Sequence, residues 1–222
     1  TGRIMSILKW FNKPKWQNPN EQVRITAVQT SNDAELLGQL INLVNHDNSE
    51  KVQIAALNRI TDYAQILSIA EQHSSKKVQS IANKKLINWF AQEHNDLQTK
   101  VFANIKDKEI IQAIAAQASD SGIRLSAVNK INQQGFLGDL LLQEKDYKIQ
   151  QQILQQITQT STLQRLLERI NKKHKSLRAK IESRLGQETQ DDDAIATDLC
   201  QQLEAVVHGK NNQQVDLTAI DQ

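Results

Sequence analysis

Apolar residues recur along this chain at a helical spacing. When a β-branched residue or Leu is set at a position v, apolar residues follow at v+4 and v+8. The rows are Val23/Ala27, Val52/Ala56/Ile60, Val78/Ala82/Leu86, Leu97/Val101/Ile105, Ile123/Ala127/Ile131, Ile149/Ile153/Ile157 and Leu177/Ile181/Leu185. The first row has no third member, because v+8 is Ser31. A spacing of four puts each row on one face of a helix, whereas a strand needs a period of two. Three residues before each v stand Asn20, Ser49, Ser75, His94, Asp120, Asp146 and His174. Asn, Ser and Asp accept hydrogen bonds from the free N–H groups of a first helical turn. Five of the seven rows therefore carry their own start signal, and His94 and His174 are the weak ones.

Second apolar stripes lie between the anchored rows, for example Leu36, Leu37, Leu40 and Leu43, or Ile110, Ile111 and Ile114. Each repeat then reads as two helices in about 26 to 29 residues. Such a hairpin cannot bury both its faces alone, so neighbours must stack. The expected fold class is all-α, an α-solenoid (α-α superhelix) of helical hairpins. The step of 19 residues after Val78 breaks the period. Lys76 to Gln92 reads as one longer helix, and a local irregularity is expected there. Position v+1 holds Arg24, Gln53, Gln79, Gln98, Arg124, Gln150 and Arg178. Seven long polar residues beside the core predict a hydrogen-bond ladder between repeats, with a ligand-binding stripe as the alternative.

Composition narrows the picture. Among 222 residues there are seven Gly and two Pro, too few for a many-turned β-sandwich or barrel. No apolar run approaches the roughly 20 residues that span a bilayer. The early apolar stretch from Ile7 to Phe11 is too short for a secretory signal. Met5 reads as the natural start. A single cysteine cannot form an internal disulfide, so a reducing cytoplasm is expected.

Charge is distributed unevenly. The chain as a whole is +2, but 26 Lys and Arg face 17 acids up to Gly186, and one Lys faces eight acids beyond it. Gly186 is expected to close a helix. Residues 191–207 are expected to form a separate helix, with Ile195, Leu199, Leu203 and Val206 packed on the body or on another copy. The expected organisation is an N-terminal extension and capping helix over 1–17, a repeat array over 18–186 and an acidic helix and tail over 187–222. The densest basic cluster is Arg165, Arg169, Lys172, Lys173, Lys175, Arg178, Lys180 and Arg184; a second is Lys76, Lys77, Lys84 and Lys85 near Trp89 and Phe90. Such clusters are solvated helix faces or candidate polyanion sites, the acidic tail then masking the first of them.

Candidate chemistry is sparse. The five histidines stand at least 20 residues apart, and none belongs to an H-E-x-x-H motif. No phosphate loop, G-x-S-x-G or G-x-G-x-x-G is present. Cys200 reads as a packing or surface thiol. No cofactor, metal or catalytic residue is expected. The aromatic and basic opening, with Trp10, Phe11 and Trp16 among Lys9, Lys13 and Lys15, reads as an end cap for the first repeat rather than as a peripheral membrane contact.

Segments such as NPNEQVRITAV, DNSEKVQIAAL and DSGIRLSAV resemble short bacterial HEAT-like (armadillo-like) repeats over about Trp16 to Leu185. The opening Lys13-Pro14-Lys15-Trp16-Gln17, with Asn18-Pro19 and Val23-Arg24, is similar to the start of a family of long bacterial proteins. Those proteins look like HEAT-type repeats followed by extended helices. The stretch from Asp198 to Ala205 resembles the start of the following region, and the chain then reads as the amino-terminal part of something longer. The resemblance implies a fold and carries no activity. Similarly sized HEAT-like DNA glycosylases need a carboxylate and aromatics gathered at one spot, and Trp89 and Phe90 with Glu93 or Asp96 is the only loose candidate. The function expected is a non-enzymatic protein-interaction scaffold with unknown protein partners, the alternative being a nucleic-acid-binding module.

Overall fold

The computed structural model describes residues 13–92, 95–170 and 175–215, with backbone alone for 188–189, 191–192 and 207–215. All of its regular structure is helical. After a 3₁₀ turn at Lys15–Gln17 come α1 (Glu21–Thr30), α2 (Ala34–His46), α3 (Glu50–Arg59), α4 (Tyr63–Gln72), α5 (Lys76–Phe90) and α6 (Asp96–Ala103). There follow α7 (Lys108–Gln117), α8 (Ser121–Val128), α9 (Gln134–Gln143), α10 (Tyr147–Gln156), α11 (Thr160–Arg169) and α12 (Lys175–Val215). Asn20, Ser49, Ser75, Asp120 and Asp146 cap α1, α3, α5, α8 and α10, each accepting from the backbone N–H at v. Neighbouring helices pack against one another, as stacked hairpins require.

The fourth anchored row sits one residue later than its apolar pattern implies. Asn95, not His94, caps α6 and accepts from Gln98 N–H. The residue at v is then Gln98, fully buried, while Leu97 is half exposed. The Gln98 amide donates to the carbonyl of Trp89 at 2.6 Å, and this bond holds a polar side chain inside the stack.

The chain forms two compact units, 1–131 and 132–222. In the first, contacts run from α1 to α3 to α5 to α7, and from α4 to α6. Helices therefore alternate between two layers. The anchored helices α1, α3 and α5 lie in one layer and the anchored α6 in the other. The short step after Val78 has a structural meaning here: one unanchored helix is missing, and the anchored series changes layer. Lys130, at the end of α8, confirms the switch by donating to the Phe102 carbonyl of α6. An aromatic row fills the junction. Tyr63 stacks on Trp89 at 3.8 Å, Trp89 meets Phe90 at 5.2 Å, and Phe90 meets Phe102 edge-on at 6.3 Å. Trp16 is buried, and its turn packs on α1; Trp10 and Phe11 lie outside the described residues.

In the second unit α9 packs on α10 and α11, and α11 on α12. Gly138 lets α9 and α11 approach, since a Cβ there would meet Thr162 Cγ2 at 3.3 Å. Gly186 does not close a helix. α12 runs through it without a break, because an open-sided glycine lowers helix propensity by about 1 kcal/mol and no breaker follows. Residues 191–207 are accordingly part of α12 rather than a separate helix. The row Ile195, Leu199, Leu203 and Val206 is exposed instead of packed on the body.

Candidate functional site

The long polar residues at v+1 act locally. Gln53 donates to the Asp47 carbonyl at 2.7 Å and Gln150 to the Glu144 carbonyl at 2.7 Å. Arg124 donates to the Ala118 and Ser119 carbonyls at 3.0 Å each. Each acceptor lies five or six residues earlier in the chain, so the side chain clamps the turn that leads into its own helix. Arg24 does this with Asn18 and Pro19 and also grips Asp47 through two bonds of 2.9 Å. At v+1, then, these side chains clamp their own leading turns, and Arg24 in addition bridges to the turn that opens the next repeat.

A further set of links between repeats stands at the helix starts. Glu21 accepts from the Ser49 hydroxyl at 2.7 Å and from Lys51 at 3.1 Å. One repeat on, Glu50 accepts from Ser75 at 2.5 Å and pairs with Lys77 at 3.4 Å. Lys76 takes the place of the next glutamate, and this set ends where the step shortens.

Position v+7 carries a second device that the apolar rows hide. Arg59 donates to the carbonyls of Val28 (2.7 Å) and Ser31 at the end of α1. Lys85 donates to Leu57, Asn58 and Ile60 at 3.0, 2.9 and 2.6 Å at the end of α3. Lys130 serves α6 and lies 4.5 Å from the centre of the Phe102 ring. A cation over the unpaired carbonyls of a helix C-terminus meets both its hydrogen-bonding need and its dipole. The sequence signal was a basic residue at v+7 in four rows, Arg59, Lys85, Lys130 and Arg184.

The candidate polyanion residues are scattered by these roles. In α5, Lys85 is held by three carbonyls, Lys77 by Glu50 and Lys76 by Gln79 at 3.0 Å, and Lys84 is exposed. Trp89 and Phe90, next to them in sequence, are buried and cannot stack on a base. In the second unit Arg169 pairs with Asp139 at 2.6 Å, and Arg165 reaches Thr162 at 3.4 Å, in a cleft of about 100 Å³ between α9 and α11. Lys180 lies 3.8 Å over the Tyr147 ring and, with Arg184, lines a different cleft of about 260 Å³ between α10 and α12. Arg178 pairs with Glu182 at 2.9 Å. Lys175 is exposed, and Lys172 and Lys173 lie outside the described residues.

In the first unit a groove of about 280 Å³ lies between α2 and α4. Ile41 and Ile69 line it, and the amides of Asn45, Gln65 and Gln72 and the Ser68 hydroxyl surround them. His73 closes one end. Its Nε2 donates to the Val44 carbonyl at 2.9 Å while its Nδ1 accepts from Ser75 N–H at 3.0 Å, so both ring nitrogens are committed to the fold. No Asp, Glu, Lys or Arg lines the groove. Among the described residues no group of His, Cys, Asp and Glu is placed to hold a metal ion. Among them, too, no helix is long and apolar enough to cross a membrane. No protein-family model and no curated protein matches the chain.

Proposed function

We propose that this chain is a protein-interaction scaffold, working in the cytoplasm without catalysis of its own, built from HEAT-like repeats as its sequence resemblance suggests. The observation that carries this reading is the groove between α2 and α4. Each side-chain amide there offers both a donor and an acceptor, the pair that a peptide main chain also presents. Ile41, partly exposed, supplies apolar contact between those polar points. A rigid stack of capped helices holds the set in place without ordering cost on binding.

A nucleic-acid role draws less support. Most of the basic side chains are already committed to carbonyls, carboxylates or rings, and the aromatics beside them are buried. A titration of labelled single- and double-stranded nucleic acid at low ionic strength separates the readings. The scaffold reading expects no saturable binding by the chain or by a form lacking 187–222. A photo-crosslinking residue at Gln65 should capture a discrete protein in the source cell, and one at Lys84 in the other layer should not. Saturable, salt-sensitive nucleic-acid binding without crosslinks at Gln65 would reverse the assignment.

A further inference from the structure

The cleft of about 260 Å³ between α10 and α12 carries charge of one sign: no Asp or Glu is among the described residues that line it. From α12 it takes Lys180, Ser183 and Arg184, whose spacing of i, i+3 and i+4 puts them on one face of the helix. From α10 it takes Gln151 and Gln155, one turn apart. Both helices belong to the second unit. Glu182 is the sole acid between Lys175 and Gln187. It stands two residues from both Lys180 and Arg184, and so on the opposite side of a helix with about 3.6 residues per turn. There it bonds Arg178 at 2.9 Å, which neutralises that arginine and not the cleft. From Tyr147 to Gln156, α10 has no acid either.

Two contacts fix the walls. Lys180 Nζ lies 3.8 Å over the Tyr147 ring, which ties α12 to α10. Tyr147 Oη accepts from Gln151 Nε2 at 3.0 Å, so an amide beside the cation is held as well. An ammonium has three N–H donors, and contact with a ring face leaves donors for a second partner. Arg184 adds a planar guanidinium, the group that meets two oxygens of an anion at once. Ser183 adds a hydroxyl donor.

We propose that this cleft binds a phosphate monoester. Its two cations match a group that carries about −1.5 to −2 at pH 7. The three terminal oxygens of that group accept from ammonium, guanidinium and hydroxyl together. A carboxylate or a phosphodiester brings a single negative charge and leaves one cation of the cleft unmatched. Ligand sites commonly span roughly 300–1,000 Å³, so a cleft at the small end of that range seats the phosphate and the first atoms of its carrier. The carrier is a phosphorylated side chain of a protein or a small phosphate ester, and the chemistry recognised is the same. This site lies outside the α2–α4 groove and stands or falls independently of it.

The test uses the full 222-residue chain. A labelled, otherwise uncharged peptide with one phosphoserine should bind saturably in fluorescence anisotropy, and its unphosphorylated twin should not. A twin with glutamate at that position should bind at least about tenfold more weakly. Affinity should rise between about pH 5 and about pH 7, as the monoester loses its second proton near 6. No His, Asp or Glu lines the cleft to titrate in its place. Lys180→Gln should weaken binding about tenfold, and Arg184→Lys, which keeps the charge and loses the planar fork, about threefold or more. Arg178→Gln, on the far side of α12, should stay within about twofold of the parent. Circular dichroism verifies the helicity of all three variants. Competition by glycerol phosphate at the affinity of the peptide would identify a small ester as the carrier, and much weaker competition a protein side chain. Equal affinity for the glutamate twin would assign the cleft to carboxylates, those of the acidic half of α12 included, and overturn the proposal. Equal losses in Lys180→Gln and Arg178→Gln would reduce the attraction to diffuse charge and overturn it too, as would absence of saturable binding by the phosphorylated peptide.

Discussion

Lys85 sits in a run of lysines that looks like a surface patch, yet three carbonyl oxygens surround its ammonium. Burial pushes its pKa below the ordinary lysine value, so the site keeps a cation only because those oxygens receive it. Lys85→Ala leaves the end of α3 without its donor, and a loss of about 1–3 kcal/mol is expected in urea unfolding. Lys84→Ala, one residue away and exposed, should stay within about 0.5 kcal/mol of the parent. At v+4 the logic is steric. Ala127 is fully buried in α8 where helices approach closely. Ala127→Leu should overpack that contact by about 1–3 kcal/mol, seen as a lower Tm. An unchanged Tm would mean the register of α8 is misplaced.

Between elements, the joints at the helix starts are electrostatic. The Ser49 hydroxyl and then Lys51 hold the Glu21 carboxyl below its ordinary value of 4.5. The Ser75 hydroxyl does the same for Glu50, outweighing an opposing effect of burial, and Lys77 adds a smaller lowering. A carboxylate favoured in the folded state binds fewer protons there than in the unfolded chain. Its contribution is therefore present above 4.5 and is lost as the pH falls through the lowered folded value. Chemical unfolding from about pH 6 down to about pH 3 should show a shallower decline for Glu21→Gln with Glu50→Gln than for the parent. An identical pH slope would show that these joints do not contribute. The continuity of α12 is a second matter of elements. Gly186 has no heavy atom within 4 Å of where a Cβ would stand. Gly186→Ala should raise helix stability by about 0.5–1 kcal/mol. A fall in helicity or Tm would show that the chain turns there.

Across the whole chain, the opposition between a basic body and an acidic tail suggested that one masks the other. A continuous α12 carries its acidic half away from Lys175, Lys180 and Arg184, which stand on the same rod. Truncation at residue 186 should therefore leave low-salt nucleic-acid binding unchanged. A gain in affinity would show that α12 bends back. The Arg165–Arg184 cluster is itself divided: Arg165 and Arg169 line one cleft, and Lys180 and Arg184 another.

Helix identity, the five caps and most buried rows were legible in the sequence, because they depend on contacts within a few residues: a side chain with its own first turn, and apolar positions on one face. The row at Leu97 misled because Gln98 is buried for a partner, the Trp89 carbonyl, that lies outside its own helix. The acceptors of Arg59, Lys85 and Lys130 were invisible for the same reason; each lies 25 to 31 residues back in the chain and is brought close only by stacking. The layer change at α6 and the groove between α2 and α4 belong to that class as well. Periodicity states which face of a helix is apolar, but which neighbour that face meets depends on how many helices intervene, and only packed coordinates contain that count.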